Sequence, residues 1–496
     1  TSSWFVDVPS IKDTLISENK AIGWTPSHTR DGRFGKWLEG AREWAVSRTR
    51  YWGAPLPVWK NASGTEVKVI GSLKELVENS FSQPKNTYYV MRHGEAHSNV
   101  KGVMDKGTDV HNHLTEKGVT QVEVSAKNLH DKGIDMILAS PVVRGRETAE
   151  IVSKELGLSV SLDERLKAYD MGIYDGKTRE EFFAQFDRSF VEYDARPEGG
   201  DTPREMMHRM MALVHELENT YEGKTILLVT HGGPARMVFA GASLLTEEEV
   251  VTDDVHNGAT LYPTNAEVRH LPLHIVPRDE TGAVNLHRPY IDQVVLKDNT
   301  GAPMHRIVDV FDCWFESGSM PFAQLHYPFE NKELFDKNYP AQFIAEGLDQ
   351  TRGWFYSLIN LGVGLFGKAP YEHVIVNGLV LASSGVKLSK SEKNYTDPML
   401  LVEKYGADAM RYALLSSPVV KGENLQFDDE LIADVYKKCI LRLENVLTLY
   451  QMNAPEAVTP STTSDNVLDQ WMISRVHELI TASTEGNDAY LLDDAT

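Results

Sequence analysis

The sequence predicts an α/β protein: one doubly wound parallel-sheet module, flanked by two stretches of a second sheet and followed by helices. Three observations carry that prediction. Between residues 85 and 271, three apolar strand-like runs each end on a residue able to handle phosphate. Near residue 374 a β-branched run, 374 to 381, reads as a buried strand of a parallel sheet and leads into a Lys/Ser-rich loop. From 402 to 450 the apolar residues recur at helical spacing.

The bulk properties bound the rest. A chain of 496 residues is long enough for two to four domains, each with its own core. A net charge of −21 argues against a mainly electrostatic nucleic-acid binder and leaves room for a local basic groove. The two cysteines, Cys313 and Cys439, give neither a disulfide framework nor a metal-ligand spacing, which favours a reducing, cytoplasmic setting and no structural zinc. No apolar run reaches the length of a membrane span, so no membrane partner is expected. The chain opens without Met and closes inside helical patterning, so it reads as an internal piece of a longer protein.

Residues 1 to 35 are short periodic stretches broken by Pro9, Gly23, Pro26 and Gly32. Trp37, Leu38, Ala41, Trp44 and Ala45 then sit at helical spacing, predicting a helix over 36–48 that ends at Arg48-Thr-Arg-Tyr-Trp-Gly53. Pro55 and Pro57 fix an extended segment after it.

In the middle region, Tyr88-Tyr-Val-Met ends on Arg92-His93-Gly94-Glu95. Met136-Ile-Leu-Ala-Ser140 leads through Pro141 into a helix bearing Arg144, and Thr225-Ile-Leu-Leu-Val-Thr230 ends on His231-Gly-Gly. In a doubly wound sheet the three strand ends converge on one edge. Two histidines and two arginines meeting there form a site where an imidazole attacks phosphorus while guanidinium groups hold the oxygens.

With Asn99, Thr148-Ala149 and Gly199-Gly-Asp-Thr202, these ordered motifs make residues 85 to 271 resemble the histidine phosphatase, or phosphoglycerate mutase-like, family. The resemblance implies a three-layer α/β/α module. His93 would be the phosphorylated nucleophile, Arg92, Arg144 and His231 the phosphate pocket, and Asn99 a lesser contact. The substrate would be a phosphorylated small molecule whose identity the sequence does not name. One position departs from the pattern: Leu166-Lys-Ala-Tyr-Asp-Met-Gly-Ile-Tyr-Asp-Gly176 has Ala168 where the family carries a general-acid Glu. Asp170 and Asp175 are the nearby carboxylates, two and seven positions on.

After 271, Asp309 to Pro321 is aromatic-rich and ends in turn formers. Ala341-Gln-Phe-Ile-Ala-Glu346 reads as a short buried strand, and Gly347-Leu-Asp-Gln-Thr-Arg-Gly-Trp-Phe355 as a glycine-bearing turn into a helix, a geometry suited to a nucleotide. Alone, the loop Lys387-Leu-Ser-Lys-Ser391 reads as solvated surface; placed after this turn and a second strand, it reads as a polyphosphate site. Leu441, Leu443, Val446, Leu447 and Tyr450 mark an apolar helical stripe, Pro455 and Pro460 a linker, and Leu468, Trp471, Met472, Arg475 and Leu479 another helix of a bundle cut short.

Taken together, the outer segments resemble the isoleucyl class I aminoacyl-tRNA synthetases. The resemblance rests on Gly32-Arg-Phe-Gly-Lys-Trp-Leu-Glu-Gly-Ala-Arg-Glu-Trp44, Ser47-Arg-Thr-Arg-Tyr-Trp-Gly53, Phe311-Asp-Cys-Trp-Phe-Glu-Ser-Gly318, Glu346-Gly-Leu-Asp-Gln-Thr-Arg-Gly-Trp354 and Lys387-Leu-Ser-Lys-Ser391. It implies the end of an editing-domain connection over 1–35, a Rossmann-like catalytic domain over 36–84 and 272–420 interrupted by the 85–271 module, and the start of an anticodon-binding helical domain over 421–496. It further implies that Glu346, Gly347, Asp349 and Gln350 contact the aminoacyl-adenylate, that Lys387 and Lys390 neutralise the phosphates of ATP, and that the partners are isoleucine, ATP with Mg2+ and tRNA(Ile). The family's His-x-Gly-His motif is absent from these residues. The fragment alone is therefore expected to be inactive as a ligase and silent on editing. Two alternatives stand beside this reading. One is a phosphohydrolase or phosphomutase working through His93, and the other a non-catalytic insert in a synthetase.

Overall fold

A computed structural model describes residues 3–185, 193–250, 261–386, 388, 394–454 and 463–496. The chain forms two compact units, one of residues 49–310 and one built from residues 1–48 and 311–496.

The first unit is organised on a five-stranded sheet in the order Val268–His270, Thr87–Arg92, Thr225–Thr230, Met136–Ala139, Val160–Leu162. The strand at the Val268 edge runs antiparallel and the other four are parallel. All three predicted strands are present, and they are neighbours. Successive side chains of a strand point to opposite faces, so each continuous apolar run feeds two cores. Tyr88, Val90, Ile226 and Leu228 pack with Met210, Val214, Leu217 and Val238 from helices Pro203–Thr220 and Gly232–Ser243. Met91, Ile137, Leu227 and Val229 pack on the other face with Val122, Ala126, Ala149 and Val152 from helices Glu116–Lys127 and Val143–Leu156. The result is the expected three-layer α/β/α module.

Helix Pro203–Thr220 starts on a capping box. Thr202 Oγ1 accepts from the Glu205 amide, and the Glu205 carboxylate accepts from the Thr202 amide. Near its other end Glu218, 7% exposed, gathers the start of the first strand. Its carboxylate accepts from the Lys85 amide at 2.7 Å, from Asn86 Nδ2 at 3.0 Å and from the Tyr88 hydroxyl at 2.9 Å.

This unit is wider than the predicted 85–271 module. Strands Val58–Asn61 and Pro303–Arg306 pair antiparallel, with Met304 opposite Asn61, and each carries one further strand, Val67–Val69 and Leu296–Lys297. Trp59, Ile70, Leu76, Ile291, Val294 and Met304 form their core. Trp59 Nε1 donates to the Val294 carbonyl at 2.8 Å. The segments entering and leaving the module are thus hydrogen-bonded to each other.

In the second unit, strands Ala341–Gly347, Tyr371–Asn377 and Gly23–Thr25 form a parallel sheet in that order. Trp24, Phe34, Phe355, Tyr371, Val374 and Val376 fill its core, with helices Val8–Ala21 and Trp354–Phe366 packed on it.

Four local expectations fail here for identifiable reasons. The helix predicted over 36–48 stops at Glu39, because Trp44 and Ala45 pair as a strand with Phe5–Val6. Pro9 lies in the first turn of helix Val8–Ala21 and opens it rather than breaking the chain, since a first-turn residue needs no N–H partner. The single strand over 374–381 is two strands, Tyr371–Asn377 and Val380–Ala382. They divide at Gly378, whose Cα lies so close to the Glu423 backbone that a Cβ would meet that carbonyl at 1.7 Å. The strand ending at Glu346 borders the sheet with a single neighbour, and its Phe343 is 51% exposed rather than buried.

Removing the Glu218 carboxylate leaves several buried donors without acceptors. Glu218→Ala is expected to lower the stability of the 49–310 unit by about 2–4 kcal/mol, read as an earlier denaturant midpoint in near-ultraviolet circular dichroism. An unchanged midpoint would contradict this account of how the first strand is anchored.

Candidate functional site

The parallel register places Arg92 directly opposite Thr230 and Ala139 opposite Val229. His93, His231 and Ser140 therefore leave the sheet side by side at its carboxyl edge. All of Arg92, His93, Arg144 and His231 are at least nine-tenths buried there. The predicted cluster is brought together, with the two imidazole rings 5.0 Å apart edge to face.

His93 Nδ1 lies 2.7 Å from the Gly94 carbonyl, which can only accept, so the proton sits on Nδ1 and the Nε2 lone pair faces the site. Arg144 Nε donates to that Nε2 at 3.1 Å. Thr148 anchors the turn, accepting from the Gly94 amide at 3.1 Å and donating to the Arg144 carbonyl at 2.7 Å. His231 Nε2 is 2.8 Å from Ser140 Oγ, and its buried Nδ1 has no partner. Burial, followed by the positive charge of Arg144 and Arg92, pushes His93 well below the ordinary histidine value. His231 is pushed down likewise, by burial, then Arg144, then His93, Arg209 and Arg92. Both rings are neutral, the form a nucleophilic imidazole requires.

Arg92 donates through Nη1 to the Pro263 carbonyl at 2.9 Å and lies 5.1 Å from the centre of the Tyr262 ring, while its Nε is buried without a partner. Gly232 makes that arrangement possible, because a Cβ there would lie 2.2 Å from the Tyr262 hydroxyl. Asn99, expected as a lesser phosphate contact, is tied into the turn after His93. Its carboxamide oxygen accepts from the Ala96 amide at 3.0 Å and from Asn265 Nδ2 at 3.2 Å, capping the turn after the nucleophile.

Sequence reasoning missed Asp105. Its carboxylate is 2.5 Å from Arg144 Nη1 and its carbonyl accepts from Arg144 Nη2 at 2.8 Å, with both side chains about 5% exposed. The available signal was a carboxylate in a short loop between Gly102 and Gly107, both at positive φ. The two nearby carboxylates are committed elsewhere. Asp170 takes Lys106 Nζ at 3.0 Å and the Gly172 amide at 2.9 Å, and Asp175 takes the Lys106 amide at 2.9 Å and the Thr108 hydroxyl. Ala168 is buried, and its carbonyl accepts from Arg209 Nη2 at 3.3 Å.

In the other unit, Glu346 and Gly347 end an edge strand at the carboxyl end of the parallel sheet, with Glu346 and Asp349 exposed. Gln350 Oε1 caps the following helix, accepting from the Trp354 amide at 2.8 Å, and Gln350 Nε2 donates to Asp349 at 3.2 Å. Arg33 Nε donates to Thr351 Oγ1 at 2.9 Å beneath this turn. Lys387 and Lys390 lie outside the described residues. Among the described residues, no group of three or more His, Cys, Asp or Glu side chains is placed to hold a metal ion, and no helix is long and apolar enough to cross a membrane.

A family model for tRNA synthetases class I (I, L, M and V) matches residues 1–133 and 271–426, over half of the chain. A model for the histidine phosphatase superfamily (branch 1) matches residues 88–261. An isoleucine–tRNA ligase of Bdellovibrio bacteriovorus is 30% identical over 496 residues, covering 99% of this chain and 28% of that protein. The cytoplasmic isoleucine–tRNA ligase of Caenorhabditis elegans is 49% identical over 218 residues, 42% of this chain and 19% of that protein. The chain thus spans less than a third of the length of these relatives. Among solved structures, Bacillus stearothermophilus YhfR is 26% identical, covering 41% of this chain and all of that one, at a TM-score of 0.33.

The depressed histidines fix a pH dependence. Unfolding returns each ring to an ordinary value near 6.5, so below that pH the unfolded chain binds protons that the folded site refuses. The stability held by the neutral pair is complete above about pH 6.5 and declines as the pH falls below it. Denaturant titrations of the wild type between pH 7.5 and 5 should show a steeper loss than those of His231→Gln. Equal slopes would mean that His231 is not held neutral.

Proposed function

Because the chain belongs to the class I tRNA synthetases (I, L, M and V), we propose that it is part of the catalytic domain and the start of the anticodon-binding domain of an isoleucine–tRNA ligase, interrupted by a histidine phosphatase-like module that forms a phosphohistidine at His93. The observation that carries the ligase reading is the likeness to isoleucine–tRNA ligases along 99% of the chain. The Glu346–Gln350 turn at a parallel-strand carboxyl end supports it. A cytoplasmic parent enzyme fits the same reading.

In the ligase reaction, the isoleucine carboxylate attacks the α-phosphorus of ATP and pyrophosphate leaves. The terminal ribose of tRNA(Ile) then takes the aminoacyl group and releases AMP. Little covalent chemistry falls to the protein, so positioning and charge compensation carry the rate. Glu346, Gly347, Asp349 and Gln350 would hold the adenylate, with Gln350 already fixed by the helix it caps. Lys387 and Lys390 would balance the departing pyrophosphate, and Mg2+ would arrive on the triphosphate.

In the insert, His93 Nε2 would attack a phosphoryl group of a phosphorylated small molecule held by Arg92, Arg144 and His231. The phosphorus–oxygen ester bond breaks and the alcohol leaves with a proton taken from water, since Ala168 offers none; a second water then attacks the phosphohistidine, releasing inorganic phosphate and returning His93 Nε2 to its lone pair. What supports this is the Nδ1–H to Gly94 hydrogen bond, which leaves Nε2 as the free base. Ala168, together with the engagement of Nε2 by Arg144, favours a second reading in which the insert is non-catalytic.

The full-length protein and its His93→Ala variant separate these readings. Isoleucine charging of tRNA(Ile) should be equal in both, while hydrolysis of p-nitrophenyl phosphate should be lost in the variant. Charging with valine or leucine in place of isoleucine would sink the ligase assignment. Hydrolysis unchanged by His93→Ala would sink the phosphohistidine, and no hydrolysis by either protein would favour the non-catalytic insert.

A further inference from the structure

Arg144 is clamped at both ends of its guanidinium. Nε points at the nucleophile, while Nη1 and Nη2 fork onto the carboxylate and carbonyl of Asp105. Three of its five N–H donors are spent, and its charge is neutralised at 2.5 Å by a carboxylate as buried as itself. One carboxylate oxygen and one carbonyl oxygen of Asp105 thus sit on the guanidinium fork where two oxygens of a phosphoryl group would bind, and they bring negative charge.

Asp105 is itself held from three sides. The Gly107 amide donates to Oδ1 at 2.8 Å, and Asn112 Nδ2 donates to Oδ2. Asn112 is tied in turn to Ser98, whose amide donates to its Oδ1 at 2.9 Å and whose Oγ accepts from its Nδ2 at 2.9 Å. The next residue, Lys106, fastens the loop to Asp170 and Asp175. The carboxylate is delivered to Arg144 by a braced loop whose donors converge on it.

We infer that Asp105 is an internal anion occupying the phosphoryl seat on Arg144, so that it competes with any phosphorylated ligand and sets the affinity of the His93 pocket. This deepens the proposed phosphohistidine reading and rests on it. With Asp105 in place, an incoming dianion can reach the unpartnered Nε of Arg92 but must dislodge a carboxylate to gain the Nη fork of Arg144. Asp105 is therefore a specificity-determining residue that admits only ligands able to outbid its own charge.

A plain positioning role predicts the opposite sign, which makes the test sharp. If Asp105 merely orients Arg144, removing its charge weakens anion binding; if it competes, removal tightens binding. Orthovanadate binding is measured by calorimetry on the full chain for the wild type, Asp105→Asn, Asp105→Ala and Arg144→Ala. Asp105→Asn should bind vanadate about tenfold more tightly or better, and Arg144→Ala should lose that gain when combined with it. Asp105→Ala should melt earlier without anion and show a larger thermal upshift with saturating vanadate than the wild type. Binding by Asp105→Asn that is unchanged or weaker overturns the inference. Absence of binding in every variant overturns the phosphate-site reading beneath it. Should Asp105→Asn fail to fold alone, recovery of the fold by added vanadate supports the competition, and failure to recover it refutes it.

Discussion

The parallel pairing of Thr225–Thr230 with a strand on either side is the constraint on which the insert depends. It ends three strands at one level, so His93, Ser140 and His231 emerge together without any loop having to reach. A slip of one residue would exchange the two faces of a strand. Leu227 and Val229 would move from one core to the other, and the following histidine would turn away from its partner. The apolar cores on both faces therefore hold the site in register as well as holding the fold together.

Electrostatics at this edge runs against the chain as a whole. A protein with a net charge of −21 buries two guanidinium groups beside two uncharged imidazoles. The cost of those buried cations is offset locally, by the Asp105 carboxylate for Arg144 and by the Pro263 carbonyl and the Tyr262 ring for Arg92. Net charge describes how a protein meets its surroundings at long range. It gives no guide to a pocket where one carboxylate decides the balance.

Much of this was readable from residue order. The apolar runs at 88–91, 136–139 and 225–230 specify buried strands, and the Arg92-His93 and His231 that follow two of them mark the edge where ligands bind. Legibility stopped where tertiary pairing overrides local pattern. Trp44 and Ala45 fit a helical stripe as well as they fit the strand they form with Val6 and Phe5. That residue 378 must be glycine follows from a distant backbone, Glu423, pressing against it, which the local pattern does not show. Asp105 was invisible for a related reason. A carboxylate in a polar loop looks like any solvated surface residue until the fold folds the loop inward onto Arg144. Asn99 is legible as a residue of the site, but its hydrogen bond with Asn265 joins residues far apart in the chain and is not.

The short antiparallel sheet at the base of the insert has a consequence for how such a chimera can exist. Because Asn61 stands opposite Met304, the host chain departs and returns at nearly the same point. The host therefore experiences the whole intervening module as little more than an elongated hairpin loop, for which extra length carries a small entropic penalty. The zipped base acts as a clasp: fastened by its own hydrogen bonds and by Trp59, it holds the points of departure and return together whatever the length of chain between them.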